Sequence, residues 1–507
     1  MANKNRESEN DPIQRCIGAF GRYQVFICFL VFLTKFFISM HQLAIVFLNP
    51  PVNYVCADNN VQNHCPCTNP VFDRSIFTET ISTKWKLICY DRFWMGSFNQ
   101  TIFMTGSLIG SLMFGTYADR YGRRLTLIIA VLIQMTSSVA AAFVPDYYSF
   151  TVLRFITGAA IGGTMVIGFV ILAEFISKRY IAILAAVYQI PFNIGHILLS
   201  VISYFLRDYR YFQFTLSFPA VAMLIYFCYL PETPRWLIAM RRTNDAVKVL
   251  ERAAKFNKMP TDVVRPNVIA YQTIAEKHSL KKGTILDLFK TPNIRKNIIV
   301  ISIQWLSCSY SFYGISQYIG ALSGDIFLNT IFGALFTFVG TLLSMPAMMY
   351  LGRRTIVIVF NLVCALSLLG LAFMPVGVAK VVCAVIGEMA SFIVFVLVYL
   401  YTTELFPTVV RNASVGFSSM LARLGAMIAP FVVDTKVIHP MLPPLLFGII
   451  PLIAGLAAFL LPETKGHMFM TTIAEGEAFK APNWLDAKVP HTKPPEKSFL
   501  ESLMCWK

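Results

Sequence analysis

The sequence predicts an all-α integral membrane protein: twelve transmembrane helices in two six-helix pseudo-repeats around a central cavity. Three observations predict it. Of 507 residues, 56% are hydrophobic and only 14% charged, against roughly 25% charged in a typical soluble domain; mean hydropathy is +0.61. Apolar runs approach the roughly 20 residues needed to cross a bilayer, and twelve can be counted. Polar motifs at the ends of these runs come in pairs. Gly122-Arg-Arg124 returns as Gly352-Arg-Arg354, and Glu174 as Glu404, each 230 residues later. Pro231-Glu-Thr returns as Pro462-Glu-Thr at an offset of 231. Marks repeated at nearly one offset describe two parallel halves of one membrane design.

Taken in order, residues 1–23 form a polar N-terminal segment with no apolar stretch of the signal-peptide kind. The first half, 24–231, holds spans at about 24–49, 94–116, 125–144, 149–173, 181–205 and 212–230. The second, 297–461, holds spans at about 297–319, 325–350, 355–374, 380–402, 413–433 and 442–461. An even number places both termini on one side. Arginine and lysine gather at Arg120, Arg123 and Arg124, at Lys178 and Arg179, in the middle segment, at Arg353 and Arg354, and at Arg411. Basic loops stay inside, so both termini are expected to be cytoplasmic. The formal charge of +16 sits largely in these turns, so no nucleic-acid partner is expected.

The outer loop at about 50–93 carries Cys56, Cys65, Cys67 and Cys89, four of eleven cysteines. An even set outside the cell reads as two disulfides with three possible connectivities. Cys65-Pro-Cys67 is spaced too closely for the usual zinc pair. Asn99-Gln-Thr101 lies inside a span and Asn412-Ala-Ser414 on the inner side, so neither is expected to carry a glycan. Residues 232–296 form a cytoplasmic linker. Val247, Leu250 and Ala254 fall on one helical face, as do Ile285, Leu288 and Phe289, which predicts short amphipathic helices; the alternative is a disordered basic linker. The tail, 462–507, is polar beyond Gly466 and holds Pro482, Pro490, Pro494 and Pro495, so disorder is expected there.

The stretch Gly115-Thr-Tyr-Ala-Asp-Arg-Tyr-Gly-Arg-Arg124 resembles the signature turn of the major facilitator superfamily. Four further stretches resemble its organic cation and anion transporter family, of the solute carrier family 22 type. They are Gly18-Ala-Phe-Gly-Arg-Tyr-Gln24, Trp85-Lys-Leu-Ile-Cys89, Pro231-Glu-Thr-Pro-Arg-Trp-Leu237 and Glu404-Leu-Phe-Pro-Thr-Val-Val-Arg-Asn412. The resemblance runs from about Gly18 to Gly466. It implies a plasma-membrane carrier of small organic ions working by alternating access, with no cofactor. Its partners would be the substrate and the lipid bilayer, and a monomer able to transport is expected. The first loop is shorter than in many members and lacks a sequon, so glycosylation and loop-driven oligomerisation are not carried over. No nucleophile–base set, phosphate loop or metal cluster points to an enzyme.

Two groups of residues are expected to do the work. Asp119, Arg123, Arg124, Glu174, Arg179, Arg353, Arg354, Glu404 and Arg411 lie at inner helix ends. There, charge pairs could form and hydrate as the inside closes and opens; the resemblance implies this gating use. The expected pairs are Asp119 with Arg123, Glu174 with Arg179, and Glu404 with Arg411. The plainer alternative is that these residues set topology and cap helices.

The second group lines the cavity. Ionisable residues within spans are costly and mark function: Lys35, Arg154, Glu388 and Arg423. Arg154 lies near a span end, where an interface anchor is the alternative. His41 reads as a packed, hydrogen-bonded residue. The resemblance implies arginine at Arg423's place in the anion and carnitine branches and aspartate in the cation branch. The cation branch also has a glutamate at the place aligned with Thr337. An arginine fork suits a carboxylate. Glu388 stands where members usually carry a basic residue; it could attract an ammonium or neutralise Lys35 or Arg423. Trp305, Tyr310, Phe312 and Tyr313 supply rings, Tyr313 matching a cavity tyrosine of the anion branch. Gln189 and Asn193, beside Pro191, offer neutral hydrogen bonds. Together these favour a carboxylate-bearing or zwitterionic solute. A sugar carrier of the same superfamily is the alternative, since Pro-Glu-Thr-Pro-Arg-Trp is shared with it and Gln304-Trp-Leu-Ser307 echoes a sugar-binding stretch. A non-transporting membrane receptor or scaffold is the second.

Overall fold

A computed structural model describes residues 12–479 except 58–61, 64, 68, 178–179, 278–283, 323, 376, 468–469 and 471. Among the described residues twelve helices are long and apolar enough to cross a membrane. Spans 1–6 are Arg22–Leu48, Trp94–Tyr121, Arg123–Ala141, Tyr147–Phe175, Ile183–Phe205 and Tyr209–Tyr229. Spans 7–12 are Pro292–Gly320, Ile326–Tyr350, Arg353–Phe373, Val378–Leu405, Thr408–Val437 and Leu442–Leu460. Each set of six forms one half.

The basic turn between spans 2 and 3 is shorter than the sequence suggests. Helix continues through Asp119 and Arg120 to Tyr121, and the next begins at Arg123. Only Gly122 lies between, at φ +107°, a backbone that residues with a Cβ rarely adopt. Span 5 is broken where Pro191 predicts a kink: one helix ends at Val187 and the next starts at Ile190. Tyr188 and Gln189 occupy the break. Within the first half, spans 2 and 4 approach backbone to backbone. A Cβ on Gly110 would strike the Ala159 carbonyl, and one on Gly162 that of Ser107. Small residues permit such contact between membrane helices.

The face opposite the Gly-Arg-Arg turns is capped by the loop between spans 1 and 2. Strand Tyr54–Cys56 pairs antiparallel with Pro70–Phe72, Cys56 standing opposite Pro70. Of the three possible connectivities the loop has Cys56–Cys67 and Cys65–Cys89. At the basic face, helices Pro234–Ala239, Thr243–Phe256 and Val264–Lys277 follow span 6. Val247, Leu250 and Ala254 are buried, as the periodicity requires. In the second predicted piece the helix covers Asp287–Lys290; Leu288 is buried but Ile285 is exposed. Asn257 fastens the linker to the start of the chain. Its Nδ2 donates to the Ile17 carbonyl (2.8 Å) and Gln24 Oε1 (2.9 Å), and its Oδ1 accepts from Tyr23 N (2.8 Å).

The tail departs from the expectation of disorder beyond Gly466. Helix Ile473–Ala478 packs under span 7. There the Glu477 carboxylate accepts from the amides of Asn293 (2.9 Å) and Ile294 (3.1 Å), donors that a helix start leaves without internal partners. An acidic group so placed is held by that need, despite the polar composition around it. The four tail prolines lie outside the described residues.

Peptide mapping without reduction is expected to recover Cys56 linked to Cys67 and Cys65 linked to Cys89. A Cys56–Cys65 or Cys56–Cys89 peptide would refute this pairing.

Candidate functional site

At the centre, the halves close on a cavity of about 30 Å³. Its walls include Gln42 and Met104 from the first half and Trp305, Tyr313, Tyr399 and Arg423 from the second. Three of the residues singled out from the sequence therefore meet here. Trp305 is held by a hydrogen bond from Nε1 to Thr402 Oγ1 (2.9 Å) and stands edge-on to Tyr399, centroids 4.2 Å apart. Tyr313 crosses the interface and donates to Gln42 Oε1 (2.9 Å). Arg423 is buried and donates from Nη1 to the Ser419 carbonyl (3.0 Å), while Nη2 is buried with no hydrogen-bond partner.

Lys35 lies against span 5 rather than in that wall. Its ammonium sits 4.9 Å from the Tyr188 ring centre and 5.2 Å from that of Phe192, within cation–π range. The break in span 5 puts Tyr188 there. Phe192 in turn meets Phe392 at 5.9 Å and Phe312 at 6.0 Å, so rings join the Lys35 site to the second half. Among the described residues no carboxylate comes within 4.0 Å of Lys35 or Arg423. Asn193 reaches across the halves to Thr341 Oγ1 (2.7 Å). Its Oδ1 and Gln189 Oε1 are buried without hydrogen-bond partners.

Other candidates stand apart. Tyr310 packs on Phe447 (5.0 Å) in a separate cluster within the second half. Glu388 lies between spans 7, 8 and 10, 2.5 Å from Ser316 Oγ and against Gly333; it forms no ion pair with Lys35 or Arg423. Arg154 is no interface anchor: it is fully buried, bonded to the His41 carbonyl (3.3 Å) and Gln100 Oε1 (3.2 Å), with its guanidinium 4.2 Å from the Phe103 ring. It ties spans 1, 2 and 4 together. The His41 ring is packed as expected, but neither nitrogen has a hydrogen-bond partner.

The charged motifs build two matching clusters at the basic face. In the first half Arg123 Nε meets Glu174 (3.1 Å), its Nη1 donates to the Ala118 carbonyl (2.8 Å), and its amide donates to Glu232 (2.9 Å). In the second half Arg353 Nε meets Glu404 (3.2 Å), its Nη1 donates to the Met348 carbonyl, and its amide donates to Glu463 (2.7 Å). Arg124 and Arg354 donate to the Phe227 and Phe459 carbonyls. The partners differ from those expected. Glu174 takes Arg123, and Arg179 lies outside the described residues. Glu404 takes Arg353, because that guanidinium projects across the short turn; Arg411 Nε donates to the Phe406 carbonyl (3.3 Å). Asp119 does pair with Arg123 (2.8 Å), but its side chain is 73% exposed. Every one of these bonds joins helices of the same half.

The sequence profile of the sugar (and other) transporter family matches residues 78–474. The organic cation transporter-like protein of Drosophila melanogaster is 30% identical, covering 91% of each chain. Solute carrier family 22 member 6 of Pseudopleuronectes americanus is 33% identical over 80% of this chain and 73% of its own. The chain belongs to the solute carrier 22 family of the major facilitator superfamily. Its fold is that of the xylose transporter XylE from E. coli in an inward-open conformation, with TM-score 0.65 at 18% identity, covering 90% of this chain and all of that one. Membership makes it a multi-pass membrane transporter.

Several residues of this transporter's clusters escaped the sequence reading. Glu232 and Glu463 cap spans 3 and 9 from the repeated Pro-Glu-Thr, a repeat that marked them without showing their target. Tyr188, Phe192, Phe392 and Tyr399 sat among many apolar rings and carried no separate signal. Breaking a buried ion pair strands a charge and costs about 3–5 kcal/mol, whereas exposed pairs contribute under about 1 kcal/mol. The Arg123–Glu174 and Arg353–Glu404 pairs are partly buried and fall between these limits, so Glu174→Gln and Glu404→Gln are each expected to destabilise by about 2 kcal/mol, and Asp119→Asn by less than about 1 kcal/mol. Thermal unfolding of purified protein in detergent tests the ranking; equal losses for Asp119→Asn and Glu174→Gln would contradict it.

Proposed function

We propose that this transporter carries small organic anions, or zwitterions bearing a carboxylate, across the plasma membrane by alternating access, with both termini cytoplasmic. The observation that carries this reading is Arg423, whose Nη2 is buried at the wall of the central cavity without a hydrogen-bond partner. A buried guanidinium facing a cavity is stabilised by a planar carboxylate that takes both of its nitrogens. Lys35 adds a second positive charge across the aromatic rings. Gln189 and Asn193 keep acceptor oxygens open for a ligand's donors, and Trp305 and Tyr313 offer faces for a flat organic body.

The cavity of about 30 Å³ is far below the roughly 300 Å³ of a small-molecule pocket. A solute of ordinary size enters only when the halves part. Basic motifs on the face of the termini support a cytoplasmic orientation for that face, and the disulfides support an outside location for the loop. On this reading Asp119, Arg123, Arg124, Glu174, Arg353, Arg354, Glu404 and Arg411 keep each half rigid while it rocks.

Two Drosophila relatives are named for organic cations; here both charges nearest the cavity centre are positive, which favours anions. A neutral sugar would require neither. Uptake by oocytes expressing the chain is tested with a monocation, a dicarboxylate, a zwitterionic amine and glucose. The carboxylate or zwitterion is expected to enter, and Arg423→Ala to cut uptake at least about 30-fold, the factor for 2 kcal/mol of lost charged hydrogen bonding. Lys35→Gln is expected to raise KM more than it lowers kcat, since it removes long-range attraction. Uptake of the monocation or glucose alone overturns the anion reading.

A further inference from the structure

Glu388 is a buried carboxylate that neither the cavity nor the charged clusters use. Its side chain is 1% exposed. Oε1 lies 2.5 Å from Ser316 Oγ, and Oε2 is buried with no hydrogen-bond partner. Ser316 Oγ also lies 2.8 Å from the Phe312 carbonyl, one turn back in span 7. A serine hydroxyl has one hydrogen. The carbonyl can only accept. If the serine hydrogen goes to Phe312, the short contact to Glu388 needs a hydrogen from Glu388 itself. One order that satisfies this chain is Glu388 O–H to Ser316 O–H to Phe312 C=O; in the other, Ser316 donates to Glu388 Oε1, the Phe312 carbonyl keeps the Ser316 amide of the helix, and Oε2 is still left without a partner.

The surroundings supply no counter-charge. Span 8 presents Gly333, against which Oε2 rests. Span 8 and the first helix of span 5 carry no Asp, Glu, Lys, Arg or His. Span 9 holds Cys364 and, at the basic face, Arg353 and Arg354, which turn to Glu404, Glu463 and Phe459. Span 7 holds Cys308, Tyr310, Tyr313 and Tyr318, with Arg295 and Lys296 at its start; span 11 holds Arg411, Arg423, Asp434 and Lys436. On span 10 itself are Lys380, Cys383, Tyr399, Tyr401 and Glu404. Among the described residues none of these is in hydrogen-bond or ion-pair contact with Glu388. An ionised carboxylate so placed is costly and takes a proton instead.

The site also has an approach. A cavity of about 610 Å³ opens under the disulfide loop, and Gly320, one turn along span 7 from Ser316, is in its wall. One turn the other way, Phe312 and Phe392 stand 5.0 Å apart, beside the rings that cover Lys35. Glu388 thus sits between the outer cavity and the central site.

We propose that Glu388 is a proton-binding site and that the transporter moves a proton together with its organic anion; the direction of coupling rests on the anion reading above. The proton is taken from water of the outer cavity onto Glu388. It is occluded as the halves close and given to water when they open at the basic face. On the return leg the anion is gone. Glu388 then travels ionised, with Ser316 Oγ as its hydrogen-bond donor.

The test uses the full-length protein in phosphatidylcholine liposomes with an imposed pH gradient, on whichever solute of the four-member panel the wild type moves. A wild type that moves no carboxylate therefore defeats the anion reading and leaves the proton test standing. Expected is accumulation that rises toward a ceiling of about tenfold per pH unit of gradient, the free-energy equivalent of one proton. Glu388→Gln is expected to equilibrate without accumulating, while still exchanging labelled for unlabelled solute at equal pH at a reduced rate. Infrared difference spectra of wild type against Glu388→Gln near neutral pH should carry the carbonyl stretch of a protonated carboxylic acid. Ser316→Ala, which keeps the carboxyl, should shift that band. A wild type indifferent to the gradient, a Glu388→Gln protein that still accumulates, or a missing band each overturns the proposal.

Discussion

Hydrocarbon offers no hydrogen bonds, so each polar group inside these spans must find its partner within the protein. That constraint orders the molecule. Arg154 meets it through both Nη atoms, which tie three helices of one half together. Asn193 and Tyr313 satisfy it by reaching into the opposite half. Trp305 satisfies it at Thr402. Not every group satisfies it: Arg423 Nη2 at the central cavity, Asn193 Oδ1 and Gln189 Oε1 near the seam between the halves, and Glu388 Oε2, His41 and His196 elsewhere in the spans are buried without hydrogen-bond partners. A carrier needs such a division. Its frame must hold without a ligand, and its centre must need one.

The two halves solve the same problem twice at the basic face. An arginine after a short turn bonds to a glutamate at the end of the next span, to a carbonyl behind it and, through its amide, to a Pro-Glu-Thr carboxylate. The geometry agrees within a few tenths of an ångström between halves. Asp119 breaks the symmetry, since Met349 occupies the corresponding place. Because every bond stays within its own half, these clusters stiffen two bodies rather than lock them together. The contacts between bodies are of another kind: single hydrogen bonds, as from Thr101 to the Met427 carbonyl (2.8 Å), and stacked rings, as between Phe47 and Phe327.

The twelve spans were legible because apolar length is written directly in composition, and the two halves because their motifs repeat. The pairing of charges was less so. Glu174 and Glu404 were recognised, but their partners were sought nearby in sequence, whereas helices bring Arg123 and Arg353 back from 51 residues away. In the site, rare residue types were legible: Arg423, Lys35 and Glu388 are conspicuous in apolar runs. Which of them share a cavity was not, since that depends on helix rotation, which composition does not encode. The aromatic wall was hidden for the opposite reason. Phenylalanine and tyrosine are so common here that no single ring announces itself.

The meeting of spans 2 and 4 through Gly110 and Gly162 has a mechanical consequence. With main chain against main chain, no side-chain layer is left to slide, so the pair cannot shear. A push applied at one end is delivered at the other with little lost in between. The seams toward spans 8 and 11 are padded by rings and lone hydroxyls, which can slip. The first half then behaves as a lever whose stiff arm is made by what glycine lacks.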